Sequence, residues 1–184
     1  MPSQFQIAKA VDTVQHGGVI AYATEAVYGL GCDPDNHHAI QRILEIKGRN
    51  ARQGFILIAS SFAQVQKYLE LLSIEEENAI RDYWPGPTTL ILSASETVSS
   101  LVTGGRDSIA IRITTHQDTR ELCDALGHAL ISTSANRSGQ PPIKHAWQLE
   151  NQFGELVDYI YPSTLGDSDK PSAIIDARTG NRIR

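Results

Sequence analysis

The sequence predicts an α/β (α+β) protein built on a mixed β-sheet, and three observations predict it. Short apolar runs alternate with segments of helical periodicity along most of the chain. Polar, glycine-containing loops follow several of those runs. The 184 residues contain no internal repeat and no low-complexity tract. One domain over residues 5–184 is therefore the expected organisation, long enough to bury roughly 70% of its unfolded surface.

Taken in order, Ile7, Val11 and Val14 recur at helical spacing, and Gly17-Gly18 end that helix. Val19 to Tyr22 reads as a buried strand running into a loop, Ala23 to Gly31, with a polar pair, a tyrosine and two glycines. Asp35 or Asn36 caps a helix over His37–Lys47 whose apolar face is Ala39, Ile40, Ile43 and Leu44. Phe55 to Ala59 is uninterrupted and apolar, as in a central strand. Helices are predicted over Ser61–Leu72 and from Ile74 to Tyr83, the second with a capping pair in Ser73 and Glu76.

Two prolines and a glycine make Trp84 to Thr88 a rigid turn before a strand at Thr89–Leu92. Val98–Asp107 reads as an exposed loop, and Ser108–Ile113 as a strand with Arg112 near its end. Asp118 or Thr119 caps a helix that Gly127 closes. Ala129 to Ile131 begins a buried strand that runs into a polar loop, Ser132 to Gly139. A weak helix over His145–Phe153, strands at Val157–Tyr161 and Ser172–Asp176, a polar loop at Ser163–Pro171 and a hairpin-like turn at Thr179–Asn181 complete the chain. Because the polar loops mostly follow strands, the ligand crevice is expected outside the strand ends. It would be lined by 24–31, 47–54, 84–88, 112, 132–139 and 172.

Composition narrows the function classes. Apolar residues make up 41% and charged residues 20%, with a net charge of −5. That balance disfavours unspecific binding of nucleic acid or membrane over the whole surface, though it permits a local basic patch. No signal-like leader opens the chain and no apolar stretch nears the roughly 18 residues of a membrane span. Cys32 and Cys123 lack paired spacing, so neither a metal site nor a disulfide framework is expected, and a reducing cytoplasm is the simplest location. Phosphate-loop, dinucleotide, zinc-protease and nucleophile-elbow signatures are all missing.

What remains is cations and neutral donors. Ser132, Thr133, Ser134, Asn136 and Ser138 can present five uncharged donors, which suit a nucleotide phosphate and equally suit an ordinary surface turn. Lys47 and Arg49 flank Gly48, so both can reach one polyanion, or both can simply be solvated at a helix C-terminus. Arg112 closes an apolar strand and needs an anionic partner or a strand end. Glu25 reads as a base, a magnesium ligand or a loop-ordering residue, and Tyr28 as a pocket wall or a core residue.

Six stretches together resemble the YrdC-like family of threonylcarbamoyl-AMP synthases. They are Thr24-Glu25-Ala26-Val27-Tyr28-Gly29-Leu30-Gly31, Lys47-Gly48-Arg49, Trp84-Pro85-Gly86-Pro87-x-Thr89, Ile109-Ala110-Ile111-Arg112, Ser132 to Gly139, and Pro171 to Asp176. They occur in the family's order across residues 5–180. Asn50, Gln53-Gly54-Phe55, Ala23 and Ala26 depart from the usual pattern without removing a charge.

The resemblance implies an open, twisted mixed sheet flanked by helices, with a large concave cleft. It implies a reaction joining L-threonine, bicarbonate or CO2 and ATP into threonylcarbamoyl-AMP with release of pyrophosphate. The product serves N6-threonylcarbamoyladenosine formation in tRNAs reading codons that begin with A, through a separate transferase complex. Lys47 and Arg49 are then the catalytic cations. Ser132, Ser134 and Asn136 join them at the nucleotide, and Thr24, Tyr28, Arg112 and Ser172 are expected at threonine. Magnesium is expected to arrive bound to ATP, with no metal site of the protein's own. The rival expectation is an RNA-binding factor in ribosome or tRNA maturation, with Lys47, Arg49, Arg52 and Arg137 on phosphates.

Overall fold

The structure, a computed structural model, describes residues 1–168 and 172–184, without the side chains of Glu75 and Ala79. Pro171 of the last motif, and residues 169 and 170 of the polar loop before it, lie outside the described residues. Among the described residues nine strands form one mixed sheet: β1 (Ile20–Ala23), β2 (Tyr28–Gly31), β3 (Ile56–Ala59), β4 (Thr88–Ser93), β5 (Ser108–Ile113), β6 (Leu130–Ser134), β7 (Tyr159–Ile160), β8 (Ala173–Asp176) and β9 (Asn181–Arg182). Their spatial order is β7-β1-β2-β6-β3-β5-β4-β8-β9. The β7–β1, β3–β5 and β4–β8 pairs are parallel and the other neighbours antiparallel.

The helices are α1 (Gln4–Gln15), α2 (His37–Lys47), α3 (Ile74–Arg81), α4 (Ser100–Thr103), α5 (Gln117–Leu126) and α6 (Ala146–Phe153). Local chemistry explains their ends. Ser3 and Gln6 close a capping box on α1, and Ser73 and Glu76 do so on α3. The Asn36 side chain accepts from the Ala39 N–H at 3.0 Å, and Gly48 at φ 58° ends α2 in the left-handed region.

The sheet's two faces differ. On one, Leu57, Leu90, Ile109, Ile111 and Ile131 pack with Ile40, Ile43, Leu149 and Phe153 of α2 and α6 in the larger core. On the other, α1 and α5 cover only Ile20, Tyr22, Ile58 and Leu130. The rest of that second face is open. The register sets Ile56 beside Ala110 and Ser132, Ile58 beside Arg112, and Gly29 beside Ser134. Because side chains alternate along a strand, all of these point to the same side.

Several elements depart from the sequence expectations. Tyr28–Gly31 is a strand, not loop: its glycines make room for the Tyr22 ring. A Cβ at Gly31 would meet Tyr22 Cε1 at 2.8 Å and the Ile131 carbonyl at 2.7 Å. Residues 61–72 form two 3-10 turns, Phe62–Gln64 and Gln66–Tyr68, because the chain is drawn into extended pairing beyond them; Leu69 bridges Ala94 and the Glu70 N–H donates to the Ser93 carbonyl. The stretch 98–107 is not a free loop. It contains α4, buries Val102 and Thr103, and its Val102 carbonyl accepts from the Phe55 N–H.

Helix α5 begins two or three residues earlier than expected, with His116 as its cap; Asp118 and Thr119 are buried, and the Thr119 hydroxyl donates to the Ala23 carbonyl at 2.9 Å. Ser132 to Ser134 belong to β6 itself, since Thr133 pairs with Leu30 and Ser134 with Gly29. The expected strand at 157–161 shortens to Tyr159–Ile160, flanked by the N–H groups of Asp158 and Tyr161, which donate to the carbonyls of Val19 and Ala21 at 2.8 Å each.

Candidate functional site

The open sheet face is the floor of a cavity of about 400 Å³. This corrects the expectation of a crevice beyond the strand ends: the site lies on the sheet, where small residues (Gly29, Ala110, Ser132, Ser134) leave a hollow that no helix fills. Strand β5 runs through it with Ser108, Ala110 and Arg112 facing inward. Ser108 and Arg112 are four positions apart, about 13 Å along the strand.

At the start of β5, Arg49 and Arg106 face the cavity together. Arg106 donates to the carbonyls of Arg52 and Gln53 at 2.8 Å each, and Arg49 donates to the Gly54 carbonyl at 2.9 Å. The two guanidiniums thus hold one loop from both sides. The Arg49 Nε is buried and has no partner among the described residues. Burial, and then the neighbouring Arg106, hold the Arg49 guanidinium below its ordinary pKa. Two like charges in one hollow, one with an unused donor, make a seat for an anion.

At the other end of β5, Arg112 meets Glu25, which comes from the β1–β2 turn. Arg112 Nη2 lies 2.6 Å from Glu25 Oε1, and the Thr114 hydroxyl donates to the same oxygen at 2.6 Å. Burial outweighs the Glu25 charge and lowers the Arg112 pKa. Glu25 Oε2 and Arg112 Nε are both buried without a partner among the described residues. Thr89 lies on β4 beside β5, and its hydroxyl is 2.9 Å from that of Ser172. Arg184 donates through Nε to the Ser172 carbonyl at 3.2 Å. The Thr24 hydroxyl donates to the Val27 carbonyl at 2.8 Å, tightening the turn that carries Glu25.

Of the residues singled out in the sequence, Thr24, Arg49, Arg112, Ser132, Ser134 and Ser172 line the cavity, and Lys47, Tyr28 and Asn136 do not. Lys47 is 3% exposed and stands behind the wall. Its Nζ donates to the carbonyls of Ser134 and Asn136, the latter at 2.8 Å, and the Ser138 N–H donates to the Lys47 carbonyl at 2.9 Å. Burial, followed by the Arg49 charge, brings the Lys47 ammonium down to about 8. Asn136 accepts from the Ser134 hydroxyl and donates to the Gln140 carbonyl at 2.6 Å. Tyr28 packs in the larger core, and its backbone ties down the same loop through Ile143 and Ala135.

Of the expected 84–88 segment only Pro87 reaches the cavity, which also takes in Arg106, Arg184 and Thr89. Arg106 was hidden inside a presumed exposed loop, and Arg184 follows a strand too short to show periodicity. The hydroxyl of Thr89 could have been placed only by knowing which strand neighbours β8.

Among the described residues of the lining, four arginines stand with a single glutamate, within a chain whose net charge is −5. No group of three or more His, Cys, Asp or Glu side chains suited to a metal ion occurs among the described residues. No helix there is long and apolar enough to cross a membrane.

An open mixed sheet with one helix-covered face and a second, partly covered face that carries an arginine-lined cavity defines an α/β protein with a cationic cleft. The chain belongs to the Sua5/YciO/YrdC family: the family profile, described as telomere recombination, matches residues 12–184. It is 46% identical over 180 residues to threonylcarbamoyl-AMP synthase of Nitrosococcus oceani, covering 98% of this chain and 97% of the relative. It is 45% identical over 184 residues to the protein of the same name from Marinobacter nauticus, covering 100% and 97%.

Among solved structures, the crystal structure of P. abyssi Sua5 complexed with L-threonine superposes with a TM-score of 0.88 at 32% identity, over 95% of this chain. The match takes in 51% of the Sua5 chain, so this protein spans about half of that one's length. E. coli YciO superposes with a TM-score of 0.83 at 27% identity, covering 96% of this chain and 85% of that one.

Proposed function

We propose that this chain is a threonylcarbamoyl-AMP synthase, a nucleotidyltransferase that condenses L-threonine, bicarbonate or CO2 and ATP and releases pyrophosphate. The observation that carries the reading is the four-arginine, one-glutamate lining of a single cavity, in a chain about 45% identical over its whole length to relatives of that name.

The reaction brings two anions together, a carbamate and a triphosphate, and water does nothing to align them. Fixed cations offset the repulsion and stabilise charge that grows on the leaving pyrophosphate. We assign the polyphosphate to Arg49 and Arg106, and the rest of the nucleotide to Ser132 and Ser134. Thr24, Arg112 and Ser172, at the other end of β5, take the amino acid. Attack then runs along the strand between them, and its rate depends on positioning, not on a covalent intermediate. Lys47 acts from behind the wall: it draws in the carbonyls of Ser134 and Asn136 and so sets the loop that meets the nucleotide. The one acidic residue of the lining is already paired with Arg112, so magnesium would enter on ATP and neutralise phosphate charge there.

The product would pass to a transferase that modifies tRNA in the cytoplasm, with residues 5–184 acting as one domain. Incubating the pure protein with ATP, magnesium, bicarbonate and each amino acid in turn, followed by mass spectrometry, tests the reading. A threonylcarbamoyl adenylate formed only with threonine is expected. No adenylate with any amino acid would overturn it.

A further inference from the structure

The Arg112–Glu25 pair is incomplete in a particular way. Among the described residues each member has one group engaged with the other and one left over: Arg112 keeps an unpartnered Nε–H and Glu25 an unpartnered Oε2. Glu25 is 9% exposed and Arg112 likewise 9%, and both line the cavity. An ion pair in the cavity wall that keeps one unused donor and one unused acceptor is complementary to a zwitterion, which brings one carboxylate and one ammonium. Glu25 is also the one acidic side chain among the described residues of the lining.

An α-amino acid enters as the ammonium, which has no lone pair, and must lose a proton before its nitrogen can attack carbon. Resting on the synthase reading above, we propose that Glu25 receives the ammonium of the amino-acid substrate and removes its first proton. The proton passes to Oε2 and the N–H electron pair stays on nitrogen. That pair forms the new N–C bond to CO2 while a C=O π pair moves onto oxygen. The second N–H proton leaves to solvent as the carbamate forms.

The surroundings of the carboxylate fit the task. Arg112 on β5 and the Thr114 hydroxyl fix Oε1, which leaves Oε2 as the reactive edge. Tyr22 of β1 lies close enough to feel the Glu25 charge, and Arg184 close enough to feel that of Arg112. A Cβ at Gly166 would lie 3.0 Å from the Glu25 Cα and 3.4 Å from His116 Cδ2, so His116 completes the ring of titratable neighbours among the described residues. The His116 Nε2 is engaged with the Thr164 carbonyl at 2.8 Å and its Nδ1 with Thr119, so Glu25 is the base available.

The test compares wild type, Glu25→Gln and Glu25→Asp for pyrophosphate release dependent on threonine and bicarbonate, across pH. Glu25→Gln is expected to lose about 10²-fold or more in kcat/KM for threonine near neutrality, the usual contribution of a general base, with KM for ATP nearly unchanged. The deficit should shrink as rising pH frees the amine without help, and Glu25→Asp should restore part of the rate. A deficit equal at every pH, or an equal loss in ATP binding, would make Glu25 a structural brace for Arg112 and overturn the proposal. Should Glu25→Gln fail to fold, calorimetry on wild type decides: the hydroxy acid lacking the ammonium must bind far more weakly than threonine, and equal binding overturns the proposal. A wild type with no threonine-dependent turnover would sink the synthase reading itself, whereas an active wild type with a fully active Glu25→Gln sinks only this assignment.

Discussion

The ammonium of Lys47 donates to the backbone carbonyl of Asn136 at 2.8 Å, and both residues stand outside the cavity, behind the wall to which Ser134 belongs. A cation chosen from the sequence as a ligand for phosphate is, in the folded chain, committed to carbonyl oxygens of the loop. Lys47→Met should therefore loosen residues 134–140 and lower kcat/KM by about 10²-fold through misplacement. Steady-state pyrophosphate release, with a melting curve to confirm folding, checks it.

The same burial gives a pH signature. The Lys47 ammonium drops from an unfolded value of 10.5 to about 8 in the folded chain. Between those values the unfolded chain binds a proton that the folded chain does not, so this group's contribution to stability rises as pH increases from about 8 to 10.5 and is smallest below 8. Urea midpoints at about pH 7 and about pH 10 should move apart between wild type and Lys47→Met, in favour of wild type at the higher pH. A constant difference would contradict the assignment.

Arg49→Ala should cost about 10²–10³-fold in kcat, because it removes a positioned donor with an unused edge. Arg49→Lys should recover little, since an ammonium lacks the planar fork. Arg106→Ala should raise KM for ATP roughly tenfold, about the worth of one charge-assisted hydrogen bond, and leave KM for threonine unchanged. Nucleotide titrations followed by calorimetry separate the two ends of the cleft.

Gly104 ends α4 at φ 69°, and a Cβ there would lie 2.6 Å from the Arg52 carbonyl oxygen and 2.8 Å from the Gly54 nitrogen. Gly104→Ala should destabilise the protein by more than about 1 kcal/mol and push the Arg52–Gly54 loop off its seat. Thermal melts and the KM for ATP report the two effects.

Tyr22 is fully buried, and its hydroxyl forms no well-aligned hydrogen bond among the described residues, although the Ser132 side chain lies near enough to pull against the effect of burial. Burial drives its pKa upward. Tyr22→Phe removes an unsatisfied group and keeps the ring under Gly29 and Gly31. Stability should stay level or rise by up to about 1 kcal/mol in urea unfolding. A clear loss would reveal a partner for the hydroxyl.

Much of the fold was legible in the sequence because its signals are local. Apolar runs at Phe55–Ala59 and Ser108–Ile113, the Asn36 cap and the Ser73–Glu76 box each report on a few neighbouring residues, and each is found as read. The failures are non-local. Glycines at 29 and 31 look like loop until the Tyr22 ring is seen lying against them. The 61–72 stretch has helical periodicity, but pairing of Leu69 with Ala94 sets its course.

The site divides the same way. Residue types that suit phosphate and amino acid were visible at Arg49, Arg112, Ser132 and Ser134. Whether a side chain faces the hollow or braces it from behind depends on strand order and on which backbone carbonyls come within reach, as Lys47 and Asn136 demonstrate. Arg106 carried no sequence signal at all, because nothing local ties it to the carbonyls of Arg52 and Gln53.

Strand β5 separates two sets of obligations by parity. Ile109, Ile111 and Ile113 serve the interior, while Ser108, Ala110 and Arg112 meet the cavity. Substitutions at Ala110 can therefore reshape what the molecule accepts without disturbing what keeps it folded. New substrate preferences become reachable by single steps on one side of a strand whose other side need never change.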